Sequence, residues 1–155
     1  MGCRKDHDTG NCVCDIVKAI ADAQSDVVEN CCDVSCEKSI EDLLSPVAAN
    51  DLDTVPFILF CEGDCKPFKG FGVRTDNSDL ECFESFIFRV KSVDKDCCAL
   101  LELLDTGDGN ACKDPCDQFK GDVGTGDLTR TGICITVDLD CFCGISCLPA
   151  VSTMD

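Results

Sequence analysis

Cysteine is the residue type with the greatest chemical capacity in this sequence. The chain has 155 residues, of which 17 are cysteine and only one is histidine. A cysteine share above roughly 8–10% is typical of small chains held together by disulfides. Because the number is odd, at least one thiol of each chain is either free or bonded outside the chain. The cysteines are Cys3, Cys12, Cys14, Cys31, Cys32, Cys36, Cys61, Cys65, Cys82, Cys97, Cys98, Cys112, Cys116, Cys134, Cys141, Cys143 and Cys147.

The spacing of the cysteines disfavours a metal centre. Structural zinc sites are commonly built on cysteine pairs with two residues between them, and no two cysteines of this chain are three positions apart. The single histidine, His7, lies in a polar segment without periodicity. We therefore expect no metal site and no cofactor. The alternative that the cysteine content leaves open is a cytosolic metal-binding or thiol-buffering module.

Catalysis by these thiols lacks the usual partners. A redox-active Cys-x-x-Cys pair is absent from the sequence, and His7 is the only imidazole available as a base for a nucleophilic cysteine. Asp138 and Asp140 are two positions apart and could bind Ca²⁺, but a solvated strand face is the simpler interpretation. The sequence thus predicts a protein that is not an enzyme and has no catalytic residues.

The charge of the chain restricts its partners and its place of synthesis. A formal net charge of −17 at pH 7 repels nucleic acid and anionic membranes, so neither is an expected partner. No apolar run approaches the roughly 18 residues of a membrane span, and residues 1–8 lack the apolar stretch of a signal peptide. We expect synthesis in a reducing cytoplasm, whereas the cysteine content indicates later oxidation.

Hydrophobic periodicity predicts one amphipathic helix followed by strands. Residues 1–10 are polar and are expected to form a flexible arm. Residues 13–28 place apolar side chains at helical spacing, and a short helical turn is expected around residues 40–44. Beyond this turn the period becomes two, with strands expected at residues 55–61, 83–91, 97–104 and 133–143. The predicted fold is mainly β: a single antiparallel β-sandwich-like domain over residues 11–150, with the amphipathic helix at its N-terminus.

Several segments resemble one family of known proteins. They are Asn11–Asp15 (NCVCD), Val55–Phe60 (VPFILF), Cys82–Val90 (CFESFIFRV), Cys97–Leu101 (CCALL) and Cys134–Leu148 (CITVDLDCFCGISCL). With these segments in order, the chain resembles the CotY/CotZ/ExsY family of cysteine-rich spore coat and exosporium proteins of bacilli. The resemblance extends over residues 11–148, and it is poor at residues 31–54, 62–81 and 105–130.

The resemblance implies a structural role at the spore surface, in the coat or the exosporium. It implies self-assembly, without enzymatic activity, from hexameric units into a flat two-dimensional lattice that disulfides between subunits then lock. It also implies synthesis in the mother-cell cytoplasm without a signal peptide, later oxidation, and contacts with other coat or exosporium proteins. Because the chain has no tyrosine, dityrosine links within it are excluded and disulfides are the natural cross-link.

The predicted elements divide the cysteines into two groups. Cysteines on or beside the arm, or after the last strand, can reach a neighbouring subunit at little cost to folding. These candidates for intermolecular disulfides are Cys3, Cys12, Cys14 and Cys147. Cysteines in apolar strand segments are expected inside their own subunit, as disulfide partners or as packed thiols. These intramolecular candidates are Cys61, Cys82, Cys141 and Cys143.

Overall fold

The described structure contains antiparallel strands and two helices, and the strands hold the larger share of its residues. The computed structural model describes residues 12–25, 32–45, 51–107 and 113–153. These ranges are mainly β, which confirms the predicted fold class. The contacts divide the chain into two units, residues 1–33 and residues 34–155. The flexible arm predicted at residues 1–10 lies outside the described residues, and a single domain over residues 11–150 stays a prediction.

Helix α1, Cys12–Ser25, belongs to the first unit. Its apolar residues recur at the spacing of one helix face, as the sequence predicts. They are each more than half exposed: Val13, Ile16, Val17 and Ile20. The helix therefore presents an apolar stripe, and the predicted amphipathic helix is confirmed as far as Ser25.

Helix α2, Cys36–Leu44, opens the second unit. Ser35 caps its first turn, because the Oγ atom accepts a hydrogen bond from the backbone nitrogen of Lys38 at 3.0 Å. This bond satisfies one of the amides that every helix start leaves without a partner. On the buried side, the Oγ atom of Ser39 donates to the carbonyl oxygen of Leu148 at 2.6 Å. The short helical turn predicted near residues 40–44 is thus the second half of a capped helix.

Seven strands form two sheets in the described part of the second unit. They are β1 (Phe57–Cys61), β2 (Gly70–Asp76), β3 (Asp79–Ser85), β4 (Phe88–Val93), β5 (Cys98–Asp105), β6 (Thr129–Asp138) and β7 (Phe142–Cys147). Five of them form one sheet in the order β6-β5-β4-β1-β7, while β2 and β3 pair as a separate hairpin. Every neighbouring pair is antiparallel. Strands β6 and β7 are consequently the two edges of the large sheet.

The hairpin β2–β3 packs on the large sheet as a second layer. Asn77 and Ser78 form its turn with φ angles of 51° and 76°. Two consecutive residues with positive φ are the signature of a type I′ turn, whose twist matches that of the strands. Gly72 permits close packing, since a Cβ atom there would overlap Cγ2 of Ile133 on β6. The two layers form the sandwich-like arrangement that the sequence predicts, although the hydrophobic pattern does not reveal strand β2.

The main core lies between the hairpin and the large sheet. Its fully enclosed members come from five strands: Phe57, Leu59, Phe83, Phe88, Ala99, Leu101, Leu103 and Ile133. The strand predicted over residues 97–104 is confirmed as β5, and its residues Ala99, Leu101 and Leu103 enter this core, each at most 1% exposed. Burial of each large apolar side chain contributes roughly 1.5–3 kcal/mol. This core fixes the positions of the strands that carry Cys61, Cys82, Cys98, Cys134, Cys143 and Cys147.

The single strand predicted over residues 83–91 is wrong, because the structure divides it. Strand β3 ends at Ser85 and strand β4 begins at Phe88. The buried Oγ atom of Ser85 accepts a hydrogen bond from the backbone nitrogen of Ile87 at 2.9 Å and donates to the carbonyl oxygen of Leu104 at 2.8 Å. A side chain thus replaces bonds that a continuous strand would make to its neighbour. The chain leaves the hairpin here and enters the large sheet.

The strand predicted over residues 133–143 also ends early. Strand β6 stops at Asp138, a 3₁₀ turn covers Leu139–Cys141, and β7 begins at Phe142. The Oδ1 atom of Asp138 accepts a hydrogen bond from the backbone nitrogen of Asp140 at 2.9 Å. Such local bonds favour a turn over a continuing strand. The chain therefore crosses to the opposite edge of the sheet, where β7 pairs with β1.

Candidate functional site

One disulfide joins two distant parts of the second unit. Cys36, the first residue of α2, is bonded to Cys147, the last residue of β7, with a Cα–Cα distance of 4.8 Å and a sequence separation of 111. The capped start of α2 and the pairing of Cys147 opposite Phe57 hold the two cysteines in place. Closing a chain segment of roughly 100 residues is worth up to about 4.7 kcal/mol in the chain-entropy model.

This bond corrects the expectation for Cys147. The sequence places Cys147 beyond the last strand, where it would be able to reach a neighbouring subunit. In the structure the residue is the final member of β7, is half-buried, and is bonded within its own chain. The error follows from the undetected break after Asp138, which displaces the last strand toward the C-terminus. No sequence signal identifies Cys36 as the partner, since the pairing depends on how α2 lies against β7.

Most described cysteines are on the surface and outside a disulfide. In the ranges that the structure describes, nine cysteines are exposed and unbonded: Cys32, Cys65, Cys82, Cys97, Cys98, Cys116, Cys134, Cys141 and Cys143. Cys61 is unbonded and half-buried. Because exposure is one condition for thiol reactivity, these residues are available for bonds to other molecules. Cys3 and the side chain of Cys12 lie outside the described residues.

The four cysteines expected inside their own subunit are not core residues. Cys82 is exposed on the hairpin, Cys141 is exposed in the 3₁₀ turn, and Cys143 is exposed on β7. Their interpretation as packed thiols is therefore wrong: β6 ends at Asp138, before Cys141 and Cys143, and Cys82 lies on the outward face of β3. Cys61, at the end of β1, is half-buried. A role for the four as disulfide partners stays a prediction.

Four cysteines lie near one another where β1 ends and β7 begins. Cys61 is opposite Phe142 in the strand register, so Cys141 and Cys143 lie on either side of this pair. The thiol of Cys143 donates a hydrogen bond to the carbonyl oxygen of Cys61 at 3.4 Å, and the same oxygen accepts from the backbone nitrogen of Cys65 at 3.2 Å. We refer to Cys61, Cys65, Cys141 and Cys143 as the thiol cluster.

The environments of Cys61 and Cys143 favour protonated sulfur. Loss of hydration is the largest cause that raises the pKa of Cys143, followed by the neighbouring sulfur of Cys65 and, more weakly, the charge of Glu62. Burial likewise raises the pKa of Cys61, with additional contributions from Asp64 and Cys141. Because the thiolate is the reactive form, we expect these two cysteines to react more slowly near neutral pH than an ordinary surface cysteine.

The outer face of the hairpin combines a thiol with exposed apolar side chains. Phe71, Val73 and Leu80 are 57%, 58% and 77% exposed. The strand register places Cys82 directly opposite Val73, on the same outward face. Clustered apolar groups at a surface are typical of interaction sites. We refer to Phe71, Val73, Leu80 and Cys82 as the hairpin face.

The described residues contain neither a metal-binding cluster nor a membrane-spanning helix. Within the described ranges, no group of three or more histidine, cysteine, aspartate or glutamate side chains has an arrangement that could hold a metal ion. Among the described helices, none has both the length and the apolar character needed to cross a bilayer.

In the described ranges, the fold and its thiols define a cysteine-rich β protein with the internal disulfide Cys36–Cys147 and a thiol-bearing surface. Comparison with known proteins agrees with this class. The family described as spore coat protein Z matches residues 1–150. The chain is 34% identical over 146 residues to "Spore coat protein Z" of Bacillus subtilis (strain 168), which covers 90% of each chain. The chain belongs to the spore coat protein Z family, as its sequence segments predict, and no solved structure matches it.

Proposed function

We propose that this protein is a structural, non-enzymatic component of the spore surface. In this proposal it assembles with copies of itself into a hexamer-based two-dimensional lattice, in the coat or the exosporium, that disulfides between subunits lock. Membership of the spore coat protein Z family supports the spore-surface role. The mother-cell cytoplasm is the proposed site of synthesis, and other coat or exosporium proteins are the proposed further partners.

The observation that carries the proposal is the surplus of surface thiols. Nine described cysteines are exposed and unbonded, against two that form the internal disulfide Cys36–Cys147. A chain that used cysteine only for its own stability would pair or bury most of these residues. Exposed thiols can instead form disulfides between subunits. Such disulfides keep an assembly intact when it is diluted.

Two apolar surfaces supply noncovalent contacts for assembly before oxidation. The hairpin face exposes Phe71, Val73 and Leu80, and α1 exposes the stripe that begins at Val13 and Ile16. Burial of such groups contributes about 25 cal/mol per Å². Cys82 lies within the hairpin face, so a subunit docked on that face would meet a thiol. We therefore add Cys82 to the intermolecular candidates Cys3, Cys12 and Cys14.

The net charge opposes association and therefore controls it. Each subunit carries −17 at pH 7, so neighbouring subunits repel one another until the charge is screened. The screening length is about 8–10 Å near physiological salt. Assembly should accordingly be promoted by salt, by divalent cations or by mildly acidic pH.

The test is assembly of the purified full chain under reducing conditions. Electron microscopy should show hexamers or sheets in the presence of reductant, and light scattering should rise with ionic strength. After oxidation the same assemblies should resist boiling in denaturant, and reductant should dissolve them. A chain that stays monomeric at high concentration and high salt, with or without oxidant, would overturn the proposal. Stoichiometric zinc in the reduced protein would favour the metal-binding alternative instead.

A further inference from the structure

We propose that Cys65 and Cys143 are a modification site, which forms a second intrachain disulfide when the chain meets a low-molecular-weight disulfide of the glutathione type. The inference concerns the single chain, so it does not depend on lattice assembly. It goes beyond the internal bond Cys36–Cys147 and involves a residue, Cys65, whose sequence context does not indicate pairing. Two unusual features of the backbone, one at each cysteine, bring the thiols together.

The first feature is a β-bulge at Cys143. In the ladder between β1 and β7, Phe60 pairs with Gly144 and the next residue, Cys61, pairs with Phe142. Cys143 is therefore the extra residue that has no partner on β1. Bulges of this kind change the direction of a side chain. Here the thiol of Cys143 is directed to the carbonyl oxygen of Cys61, at 3.4 Å.

The second feature is the tight turn after β1. The backbone nitrogen of Cys65 donates to the carbonyl oxygen of Cys61 at 3.2 Å, and the backbone nitrogen of Cys61 donates to the carbonyl oxygen of Lys66 at 2.8 Å. Cys65 has a φ angle of 58°, a left-handed conformation that is uncommon for residues other than glycine. One carbonyl oxygen, that of Cys61, thus accepts from both the Cys65 amide and the Cys143 thiol, which places Cys65 beside Cys143.

The Cys65 amide and the Cys143 thiol both contact the carbonyl oxygen of Cys61, at 3.2 Å and 3.4 Å, so the two cysteines are neighbours and little rearrangement is needed for a bond. Both residues are exposed, and a small disulfide can reach them. Cys61 is half-buried, and Cys143 meets its backbone oxygen and not its sulfur. These contacts favour Cys65 over Cys61 as the partner of Cys143.

The bond would fasten the exposed edge of the large sheet. Strand β7 is an edge strand that pairs only with β1 among the described strands, and the ladder is irregular between Phe60 and Cys61. The disulfide Cys36–Cys147 already holds the far end of β7. A Cys65–Cys143 bond would hold the irregular end to the turn after β1. An edge strand fixed at both ends is less able to open and pair with foreign strands.

The reaction is two successive thiol–disulfide exchanges. The thiolate of one cysteine attacks a sulfur of the small disulfide, which forms a mixed disulfide and releases one small thiolate. The other cysteine, after losing its proton, attacks the protein sulfur of the mixed disulfide and releases the second small thiolate. The two protein thiols lose two electrons and two protons, and the small disulfide becomes two small thiols.

The test uses the full chain, dilute enough to be monomeric, with the Cys36–Cys147 bond formed and the remaining thiols reduced. Oxidised glutathione is added, the reaction is stopped with acid, and free thiols are alkylated. Cleavage after Glu62 and after Phe142 separates Cys65 from Cys61 and Cys143 from Cys141 before mass spectrometry. We expect the Cys65–Cys143 peptide pair to be the main new cross-link. Glutathione attached separately to Cys65 and Cys143, or a dominant link to another cysteine, would overturn the proposal.

Variants provide the controls for this experiment. Cys65→Ser should leave Cys143 either reduced or carrying glutathione, and Cys143→Ser should do the same to Cys65. Cys116→Ser, a change at an exposed cysteine outside the thiol cluster, should leave the cross-link unchanged. Because the protein is monomeric throughout, a failure of this test is distinct from a failure of lattice assembly.

Discussion

Cys147 is covalently bonded to Cys36, so the last residue of the edge strand β7 is fixed to the first residue of α2. The bond closes a long segment of the chain, and a native disulfide of this type contributes about 2–4 kcal/mol to stability. Replacing both cysteines by serine should lower the free energy of unfolding by that amount in urea titrations.

Two controls isolate the contribution of this bond. Reductant should bring the wild-type protein down to the stability of the Cys36→Ser/Cys147→Ser variant and leave the variant unchanged. Cys116→Ser should behave as the wild type, since Cys116 is exposed and unbonded. Equal stability of wild type and double variant under oxidising conditions would contradict the role given to the bond.

The ion pair between Arg89 and Glu102 should contribute more to the free energy of unfolding than the distance between its charged atoms suggests. The Arg89 Nη1 and Glu102 Oε1 atoms are 3.6 Å apart, with side chains only 18% and 3% exposed. Glu102 Oε2 also accepts from the backbone nitrogen of Gly132 at 2.9 Å. Glu102→Gln would leave a largely buried guanidinium without its counter-ion. We expect a loss of about 2–4 kcal/mol in the free energy of unfolding, measured in urea.

The pair Arg74–Glu81 is the matched control for that change. Its nitrogen–oxygen distance is also 3.6 Å, but its side chains are 39% and 47% exposed. Because solvent weakens an exposed pair to about 0–1 kcal/mol, Glu81→Gln should have little effect. If both substitutions cost the same, burial is not what gives the Arg89–Glu102 pair its importance.

Close packing of the hairpin on the sheet should make Gly72 intolerant of any side chain. A Cβ atom at Gly72 would overlap Cγ2 of Ile133, and overpacking of a core costs about 1–3 kcal/mol. Gly72→Ala should lower the thermal midpoint accordingly. Gly126→Ala is the control, because a Cβ atom at that position meets nothing within 4 Å. An equal effect of the two changes would indicate an effect of glycine entropy and not of packing.

The sequence predicts those helices and strands in which apolar side chains recur at a regular helical or strand spacing. Alternation along β5 identifies its inward face, Ala99, Leu101 and Leu103, because each of these side chains enters the same core. Strand β2 is not predicted because its inward position is occupied by Gly72, which close packing against Ile133 requires. Without an apolar side chain there, the alternating pattern of a strand is missing. Its turn at Asn77 and Ser78 also lacks the Asn-Gly pair that usually marks a type I′ hairpin.

The arrangement of the cysteines could be predicted only in part. Their number and the oxidised character of the chain follow from composition, but pairing depends on which strands become neighbours. A single side-chain bond at Asp138 ends β6, and this break moves β7 to the opposite edge of the sheet, beside β1. The disulfide of Cys147 and the thiol cluster both result from that crossing. Hydrophobic alternation carries no information about such a local hydrogen bond.

Asp53 should make the stability depend on acid pH. Burial acts to raise the pKa of Asp53, but hydrogen bonds from Thr54 and Thr153 and the charge of Arg130 outweigh it, so the pKa lies below the ordinary 3.8. A carboxylate with a lowered folded-state pKa stabilises the fold above the unfolded-state value, and this contribution is lost as the pH falls through the folded-state pKa. Asp53→Asn should therefore cost about 1–3 kcal/mol near neutral pH.

The pH series provides the decisive comparison for Asp53. A series of urea unfolding measurements from about pH 7 down to about pH 2 should show a difference between wild type and Asp53→Asn that is largest near neutral pH and shrinks as the pH falls below 3.8. Asp96→Asn, at an exposed position, should leave the acid dependence as in the wild type. A constant difference between wild type and Asp53→Asn across the series would show that the charge of Asp53 is not responsible.

The disulfides between subunits should form mainly through the cysteines at the start of the chain. Cys3, Cys12 and Cys14 precede or begin α1, so bonds from them place little constraint on the β-sheet core. Replacing all three by serine should leave the lattice normal in electron micrographs. Boiling in denaturant without reductant should then release monomers or small oligomers, whereas Cys116→Ser should leave the lattice resistant.

Cys82→Ser tests whether a disulfide between subunits forms at the hairpin face instead. If the triple variant resists boiling as well as the wild type and only Cys82→Ser releases subunits, the bond is formed at the hairpin face and not by the N-terminal cysteines.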